Sequence, residues 1–402
     1  MYQTKKRVFT VLFLSILIGY SVVNAVQALP QIQSTLASAA GSPISQLVQT
    51  AESSVTDALL GKMNFIEFYA YLQRLLDKRE INNFAYIKDE NGFLHYSSFF
   101  READPDVISY ALRVRRLQDY VEKYGTKVLC VTAPSKYSTG QVPLREGLSA
   151  NDPSILTEQT LLYLNRLGVE TLNLGEYLPN KDLSYEETYF RTDHHWTIPA
   201  AFEATKVLVK TMQERFDAPL DDSWLASSRY TKVTYHKGML GSMGRKTGVN
   251  FVGLEDFTAL WPQFEMHYSR DCLEEKGVMT HREGLTEDTL MIPETLLKND
   301  SIYKDSLYSL YLNSLRSYET ITNEDNPDGP SVLMIRDSYF SPVITFMAPM
   351  CSRIDAIWSL ETSDQIDIEQ YVKENRFDYI IVEMYPYNIE DDAFNFFREG
   401  VS

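Results

Sequence analysis

The stretch Ser331–Tyr339, SVLMIRDSY, predicts the element around which the chain folds. Its first five residues form a short apolar run that is typical of a buried β-strand. Ser338 follows this run closely, and Ser341-Pro342 signals the start of a helix soon afterwards. A serine in such a strand–turn–helix stands at a helix N-terminus, where backbone N–H groups can stabilise an oxyanion. A serine that merely caps the helix is the alternative, and on this stretch alone it is the more frequent case.

Short apolar runs of the same kind recur on both sides of this stretch. The further predicted strands are Lys127–Ala133, Val169–Leu174, Ile354–Trp358 and Tyr379–Val382. Amphipathic helices lie between them, and we predict these helices at Ile108–Tyr124, Leu156–Leu167, Ile198 to about Arg215, and Ile366–Asn375. This alternation predicts an α/β domain with a parallel sheet that helices cover on both faces. In such sheets the active site lies beyond the carboxyl ends of the strands.

The region from 218 to 330 interrupts the alternation, and we interpret it as an insertion that forms a substrate-facing subdomain. It contains Gly241-Ser242-Met243-Gly244, which superficially resembles a hydrolase serine motif. The segment departs from Gly-x-Ser-x-Gly and follows no clear strand in the sequence. We therefore assign it no role in the chemistry.

A second polar segment, Arg191–Thr197 (RTDHHWT), holds two of the six histidines of the chain. In extended backbone, residues i and i+2 point the same way, so Asp193 and His195 share a face. The carboxylate can then hold one nitrogen of the His195 ring and leave the other free to take a proton. Thr197 is suited to cap the helix that follows. With Ser338 these residues supply a nucleophile, a base and an orienting acid, although a merely polar loop is the alternative for an isolated histidine pair.

Composition narrows the classes of protein that the chain can belong to. The 402 residues are 44% hydrophobic and carry a net charge of −17, which excludes a disordered chain, a multi-span membrane protein and non-specific nucleic-acid binding. The three cysteines, Cys130, Cys272 and Cys351, form no Cys-x-x-Cys pair. A disulfide framework and a cysteine-rich zinc site are therefore excluded, while one disulfide stays open.

The N-terminus has the charge pattern of a segment that engages a membrane. Lys5, Lys6 and Arg7 precede an apolar run from Val8 to about Val26. This pattern indicates either a cleaved signal peptide, with Val23-Asn24-Ala25 as its cleavage site, or a single membrane anchor. We thus divide the chain into a signal or anchor (1–29), a membrane-proximal linker and helix (30–79) and a catalytic domain (80–402) that lies outside the cytoplasm.

The motifs together resemble a known family. TDHHWT before a helix and RDSY after a strand are similar to the SGNH-hydrolase superfamily, and more closely to its alginate O-acetyltransferase-like (AlgJ/AlgX-like) and DHHW branch. Ala133-Pro134-Ser135-Lys136 matches the strand–Pro–Ser–Lys segment of that branch. The resemblance implies a flavodoxin-like three-layer SGNH-hydrolase domain with a Ser338–His195–Asp193 triad and no metal or cofactor.

The order of the motifs departs from that of ordinary SGNH esterases, in which the serine comes first. Reading the chain cyclically from Ser331 restores the usual order, so the resemblance implies a circular permutation. By this alignment the segment after Tyr379–Val382 takes the place of the oxyanion loop. Its candidate donors are Tyr385, Tyr387 and Asn388, and our candidate cations for the oxyanion or an anionic sugar are Lys136 and Arg353, with Arg191 as a further cation near the cleft.

The family implies transfer of acetyl groups to a cell-surface or exported polysaccharide, with a membrane-bound O-acyltransferase as the partner that supplies them. Alternatives remain open at this point. The same triad fits a secreted carbohydrate esterase, and D-alanine transfer is a further option. A DHH-type metal phosphoesterase needs strand-end aspartates that the predicted strands lack. A non-catalytic glycan-binding protein needs no triad.

Overall fold

The computed structural model of the chain describes residues 2–38, 48, 52, 56, 59–99, 106–178, 183–274, 277–294, 302–304, 306–313, 315–358, 360 and 366–398. The chain divides into two compact units, Met1–Asp77 and Lys78–Ser402. The first contains helices α1 (Tyr2–Ser38) and α2 (Lys62–Leu75). The second contains every strand described below and the remaining helices.

Helix α1 contains the apolar run from Val8 to about Val26 that the sequence analysis describes. Its part Gln3–Pro30 is long and apolar enough to cross a membrane, a property that signal sequences and anchors share. Residues 30–38 continue α1, where the sequence predicted the start of the membrane-proximal linker. Of residues 39–58, the structure describes 48, 52 and 56. Helix α2 matches the helix predicted within the region 30–79.

The second unit begins with a small antiparallel sheet of β1 (Glu80–Ile81), β2 (Tyr86–Lys88) and β3 (Leu94–Tyr96). The β2–β3 turn forms because the Asp89 carboxylate accepts the N–H groups of Asn91 and Phe93, at 2.9 and 2.8 Å. Gly92 adopts a positive φ of 89° there. β2 and β3 therefore form a hairpin with a tight turn.

The remaining elements follow in chain order. The helices are α3 (Val107–Glu122), α4 (Ser154–Arg166), α5 (Leu174–Tyr177), α6 (Tyr185–Thr188), α7 (Ile198–Phe216), α8 (Ser242–Thr247), α9 (Val249–Val252), α10 (Thr286–Thr289), α11 (Ser341–Met347) and α12 (Ile368–Glu374). The strands are β4 (Lys127–Thr132), β5 (Glu170–Asn173), β6 (Tyr230–Met239), β7 (Glu255–Pro262), β8 (Tyr268–Leu273), β9 (Met279–Gly284), β10 (Tyr318–Asn323), β11 (Ser331–Arg336), β12 (Arg353–Trp358) and β13 (Tyr379–Met384).

The central sheet has the strand order β5-β4-β13-β11-β12-β10-β8-β9. The first five strands are parallel, and they are the five that the sequence predicted. Counted cyclically from β11, they have the order 2-1-3-4-5 across the sheet, which is the flavodoxin-like order. The fold class and the cyclic reading of the chain are thereby confirmed.

The structure of region 218–330 differs from the predicted architecture. It was expected to be a separate subdomain, but β8, β9 and β10 extend the central sheet, and β6 and β7 pair beside it as a two-stranded ribbon. β10 runs antiparallel to β12 and pairs with it over five residues. The physical reason is that β12 would otherwise be an exposed edge with unpaired backbone groups. The sheet is therefore mixed and not purely parallel.

The sheet separates two hydrophobic layers. Successive residues of the central strands alternate between them: Leu333 and Ile335 pack with α3 and α12, whereas Val332 and Met334 pack with α7 and α11. This two-sided burial explains why the strands read as continuous apolar runs. The three cysteines are buried and free, so none of them forms the disulfide that the sequence left open.

Candidate active site

Ser338 stands where the sequence predicted a nucleophile. Strand β11 ends at Arg336, and Ser338 opens a 3₁₀ turn (Ser338–Phe340) that leads directly into α11. The Asp337 carboxylate caps this turn because it accepts the N–H of Tyr339 at 2.9 Å. The Ser338 hydroxyl is thereby fixed at the carboxyl edge of the parallel strands.

The Asp/His segment meets Ser338 at this edge. The His195 Nδ1–H donates to Asp193 Oδ1 at 2.7 Å, and the Ser338 hydroxyl lies 2.8 Å from His195 Nε2. Asp193 also accepts the backbone N–H of His195 at 3.2 Å, which holds the i, i+2 geometry expected from the sequence. The three side chains form one unbroken chain of hydrogen bonds from carboxylate to hydroxyl.

The electrostatics match this arrangement. Burial and the neighbouring His194 lower the pKa of His195 below its ordinary 6.5, against the opposing effect of Asp193. Burial alone would raise the pKa of Asp193, but its interactions with His195 and His194 hold it well below its usual range. At neutral pH Asp193 is thus ionised and His195 neutral, so Nε2 can accept the proton of Ser338.

Aromatic side chains hold the His195 ring in place. Tyr308 stacks on the ring with a centroid distance of 4.1 Å and an interplanar angle of 19°. Trp196 is fully buried, and its indole N–H lies 3.2 Å from both the Tyr308 hydroxyl and the Tyr339 carbonyl oxygen. The Thr197 side chain caps α7 as predicted, since it accepts the N–H of Ala200. The loop is therefore anchored on both sides of the histidine.

The segment Gly241-Ser242-Met243-Gly244, to which we assigned no role from the sequence, contacts Asp193 and holds its carboxylate in place. The Ser242 N–H donates to Asp193 Oδ2 at 2.7 Å, and the Ser242 hydroxyl lies 2.9 Å from His194 Nδ1. The Gly241 N–H donates to the Thr192 hydroxyl at 2.7 Å. The segment does follow a strand, β6, so the expectation that no strand precedes it was wrong, and its role is to contact Asp193 and His194. The signal available in the sequence was the run of small residues, which lets this backbone approach Asp193 closely.

Lys136 and Arg191 support the backbone of the Asp/His segment. The Lys136 side chain is 2% exposed, and its ammonium donates to the carbonyl oxygens of Asp193 and Arg191, at 2.6 and 3.2 Å. Burial lowers the pKa of Lys136 to about 8. The Arg191 guanidinium donates to the carbonyl oxygens of Val252 and Leu254. Both cations thus position the loop, and the expectation that they face an anionic sugar is corrected.

Arg353 lies at the opposite end of the sheet. It begins β12 and pairs in register with Ser331, the first residue of β11, whereas Ser338 follows the last. Its guanidinium binds the Asp355 carboxylate through two hydrogen bonds, at 2.8 and 2.7 Å. The prediction that Arg353 contributes to the site is wrong, because a residue that opens a parallel strand cannot reach its carboxyl edge.

The candidate oxyanion donors after β13 have other acceptors. The Tyr385 N–H and the Asn388 amide both donate to Asp337 Oδ2, at 2.9 and 3.0 Å, and the Tyr387 hydroxyl donates to the Asn151 carbonyl oxygen at 2.5 Å. In this structure these groups organise the turn around Asp337. Of the groups that the sequence considered, the Ser338 N–H fits best, because the first N–H groups of a helix lack partners within it.

A buried carboxyl supports the same turn. The Asp337 N–H donates to Glu383 Oε2 at 2.9 Å. Burial and the nearby Asp337 raise the pKa of Glu383 well above its usual range. Glu383 is thus protonated and adds no second negative charge beside Asp337.

The donor atoms of Asp193, His194 and His195 lie within 4.8 Å of one another, close enough to hold a metal ion. Both ring nitrogens of His195 already have partners, Asp193 on one side and Ser338 on the other. A metal would have to break one of these hydrogen bonds. The arrangement therefore favours the triad that the sequence predicted over a metal phosphoesterase site.

The fold and this edge are similar to those of an SGNH hydrolase-like domain. Residues 90–254 match the family model described as SGNH hydrolase-like domain, acetyltransferase AlgX. This match confirms the resemblance that the Asp/His motif indicated. No curated protein matches the chain.

Solved structures of distant relatives share the fold. The chain is similar to PatB1 of Bacillus cereus, with 16% identity and a TM-score of 0.60 over 77% of this chain and 99% of that one. A second PatB1 structure, which carries a sulfonyl adduct, gives 15% identity, a TM-score of 0.58 and the same coverage of both chains. A DHHW family protein from Eubacterium siraeum DSM 15702 gives 17% identity and a TM-score of 0.53 over 77% of this chain and 96% of that one.

Proposed function

We propose that the protein is a serine acyltransferase that moves acetyl groups to hydroxyls of a polysaccharide outside the cytoplasm. The observation that carries this proposal is the continuous hydrogen-bond chain from Asp193 through His195 to Ser338. The match of residues 90–254 to an acetyltransferase family supports acetyl as the group transferred. Helix α1 supports export, either as a signal peptide or as an anchor.

The reaction has two balanced steps. His195 Nε2 takes the proton of Ser338 as the hydroxyl oxygen bonds to the acetyl carbonyl carbon. The ester bond of the donor then breaks, and the leaving oxygen takes the proton from His195. In the second step an acceptor hydroxyl gives its proton to His195 and attacks the acetyl-serine, and Ser338 recovers its proton as the bond to it breaks. The Ser338 N–H stabilises the oxyanion in both steps.

A membrane-bound O-acyltransferase as the source of the acetyl group is part of the same proposal. If α1 is retained as an anchor, it keeps the domain beside such a partner. N-terminal sequencing of the mature protein distinguishes the two fates of α1, because cleavage after Val23-Asn24-Ala25 leaves Val26 as the first residue.

The test uses the purified full chain with a chromogenic acetyl ester. Ser338→Ala and His195→Ala should each lower kcat/KM by roughly 10³-fold or more, whereas Ser341→Ala, at the first residue of α11, should retain activity. A sulfonyl fluoride should add one sulfonyl group, located on Ser338 by peptide mass spectrometry. Full activity in Ser338→Ala would refute the proposal.

An esterase with the same triad is the second candidate, since water can replace the acceptor hydroxyl in the second step. Adding acceptor glycan to the same assay separates the two functions. A transferase should form an acetylated glycan, with a Ser338-dependent yield, whereas an esterase should release acetate alone.

A further inference from the structure

Four neighbouring rings lie beside His195, and we call them the aromatic rim: Tyr96, His194, Tyr385 and Tyr387. Neighbouring ring centroids lie 5.2 Å apart for Tyr96 and Tyr387, 5.1 Å for Tyr387 and Tyr385, 5.6 Å for Tyr385 and His194, and 6.4 Å for His194 and Tyr96. The His194 centroid lies 3.9 Å from that of His195, the residue that contacts Ser338. The rim therefore borders the reacting hydroxyl.

The rim is partly open to solvent. Tyr96 and Tyr387 are half-buried and the side chain of His194 is 19% exposed, whereas Tyr385 is buried and supports the other rings. The flat faces of such rings pack against the apolar C–H faces of sugar rings. Tyrosine hydroxyls can meanwhile bond the hydroxyls at the sugar edge. The rim thus offers a surface on which a sugar beside Ser338 can stack.

The charges around the rim are negative. The carboxylates that act on its tyrosines are Asp193 for Tyr96 and Asp337 for Tyr385, and together with burial they raise the pKa of both phenols. Among the described residues, the ring contacts and hydrogen bonds of the His194 and His195 side chains involve no Lys or Arg. A polymer with an acid on each sugar would be disfavoured here, because Lys136, the cation that interacts with Asp193, is buried and donates to backbone carbonyl oxygens.

A cavity of about 470 Å³ lies along the same edge of the sheet, and acidic residues are among those that line it. It is lined by Ala133, Asn173 and Pro386, which follow or end β4, β5 and β13, and by the acids Glu158 and Glu176. None of its described lining residues is Lys or Arg. β4 lies two strands from β11, which places the cavity about 10 Å along the edge from Ser338. A polymer of several sugars can reach both.

We propose that the acceptor of this site is a glycan without acidic groups. The proposal rests on the proposed acyl transfer and names its substrate class. An uncharged sugar chain stacks on the aromatic rim beside acetyl-Ser338, and its next units enter the cavity along the edge. Polyuronates and phosphate-bearing polymers are disfavoured, because the cations expected from the sequence, Lys136 and Arg191, are committed to backbone carbonyls.

The experiment measures the ratio of acetyl transfer to hydrolysis for the purified full chain with a chromogenic acetyl ester as donor. The acceptors are uncharged cello-, manno- and chito-oligosaccharides and, at equal length, oligomannuronate. At low ionic strength we expect a ratio about tenfold higher or more for at least one uncharged acceptor than for oligomannuronate. Oligomannuronate that accepts as well as every uncharged acceptor, or transfer to none of them, would overturn the proposal.

Two matched pairs of variants sharpen the test. Tyr96→Leu should lower the transfer-to-hydrolysis ratio for the uncharged acceptor about tenfold, whereas Tyr96→Phe, which keeps the ring, should retain most of it. The double variant Glu158→Gln/Glu176→Gln should raise the ratio for oligomannuronate. A wild-type ratio in Tyr96→Leu would contradict the role of the aromatic rim. Loss of Ser338-dependent ester cleavage in wild type would instead refute the underlying acyl transfer, so the two failures are distinguishable.

Discussion

Replacement of Gly241 by alanine tests whether the segment after β6 positions the orienting carboxylate. A Cβ on Gly241 would lie 2.6 Å from Asp193 Oδ2 and 2.7 Å from Asp193 Cα. An ordinary non-bonded contact is about 3.5 Å, so the carboxylate must move by about 1 Å. This shift would break the 2.7 Å bond from the Ser242 N–H and misalign the His195 ring.

A displacement of about 1 Å in a catalytic group costs on the order of 10²-fold in rate. We therefore expect Gly241→Ala to lower kcat/KM for a chromogenic acetyl ester by about that factor. Overpacking should also destabilise the fold by about 1–3 kcal/mol, measured by urea unfolding. The control is Gly175→Ala, whose Cβ would meet the Asn173 amide oxygen at 3.2 Å and its nearest backbone atom, Pro134 Cα, at 3.6 Å. Because the Asn173 side chain can shift by a few tenths of an ångström, we expect the rate to change less than about threefold. Wild-type kcat/KM in Gly241→Ala would show that the loop yields without moving Asp193 and would refute this reasoning.

Three further perturbations follow from the same contacts. Because the pKa of His195 is lowered and its neutral form is the base, the acid limb of the kcat/KM profile should have its midpoint below pH 6.5, and a midpoint above that value would count against the assignment. Lys136→Met removes the ammonium that donates to the Asp193 carbonyl oxygen, whereas the Arg191 carbonyl keeps the N–H of Leu94 as a donor, so we expect a loss of about 1–3 kcal/mol in urea unfolding together with reduced kcat/KM, and unchanged activity would contradict a positioning role. The Glu319 carboxylate pairs with two buried arginines, Arg270 and Arg336. Glu319→Gln removes this charge and should lower the free energy of unfolding by about 3–5 kcal/mol, whereas Glu186→Gln, at an exposed position, should lower it by about 0.5 kcal/mol or less.

Local sequence rules predicted the parts of the site that depend on local geometry. Asp193 and His195 meet because side chains at positions i and i+2 of extended backbone point the same way, and this depends on three consecutive residues only. Ser338 lies at the correct edge because a strand followed at once by a helix start leaves little freedom for the turn. The five parallel strands were recognisable because burial on both faces demands continuous apolar runs.

Other features depend on contacts between distant segments. Ser242 reaches Asp193 across 49 positions of the chain, with α7 and β6 between them, and no local pattern indicates the contact. The sequence shows the charge of Lys136, and we therefore expected it to bind substrate. It does not show that the backbone carbonyl groups of Asp193 and Arg191 fold against this charge and accept its hydrogen bonds. The error at Arg353 was avoidable, because this residue opens its predicted strand and so belongs to the amino end of a parallel sheet.

The circular permutation accounts for the placement of region 218–330. In the cyclic order, α7 follows the fifth strand at one side of the sheet, and β11 is the first strand at its centre. The permuted chain must therefore connect these two places, and 218–330 makes that connection. The same segment pairs β10 with the edge of β12 and sets Ser242 against Asp193. Since the connection spans both the sheet edge and the triad, its contacts couple the stability of the sheet to the alignment of Asp193, His195 and Ser338.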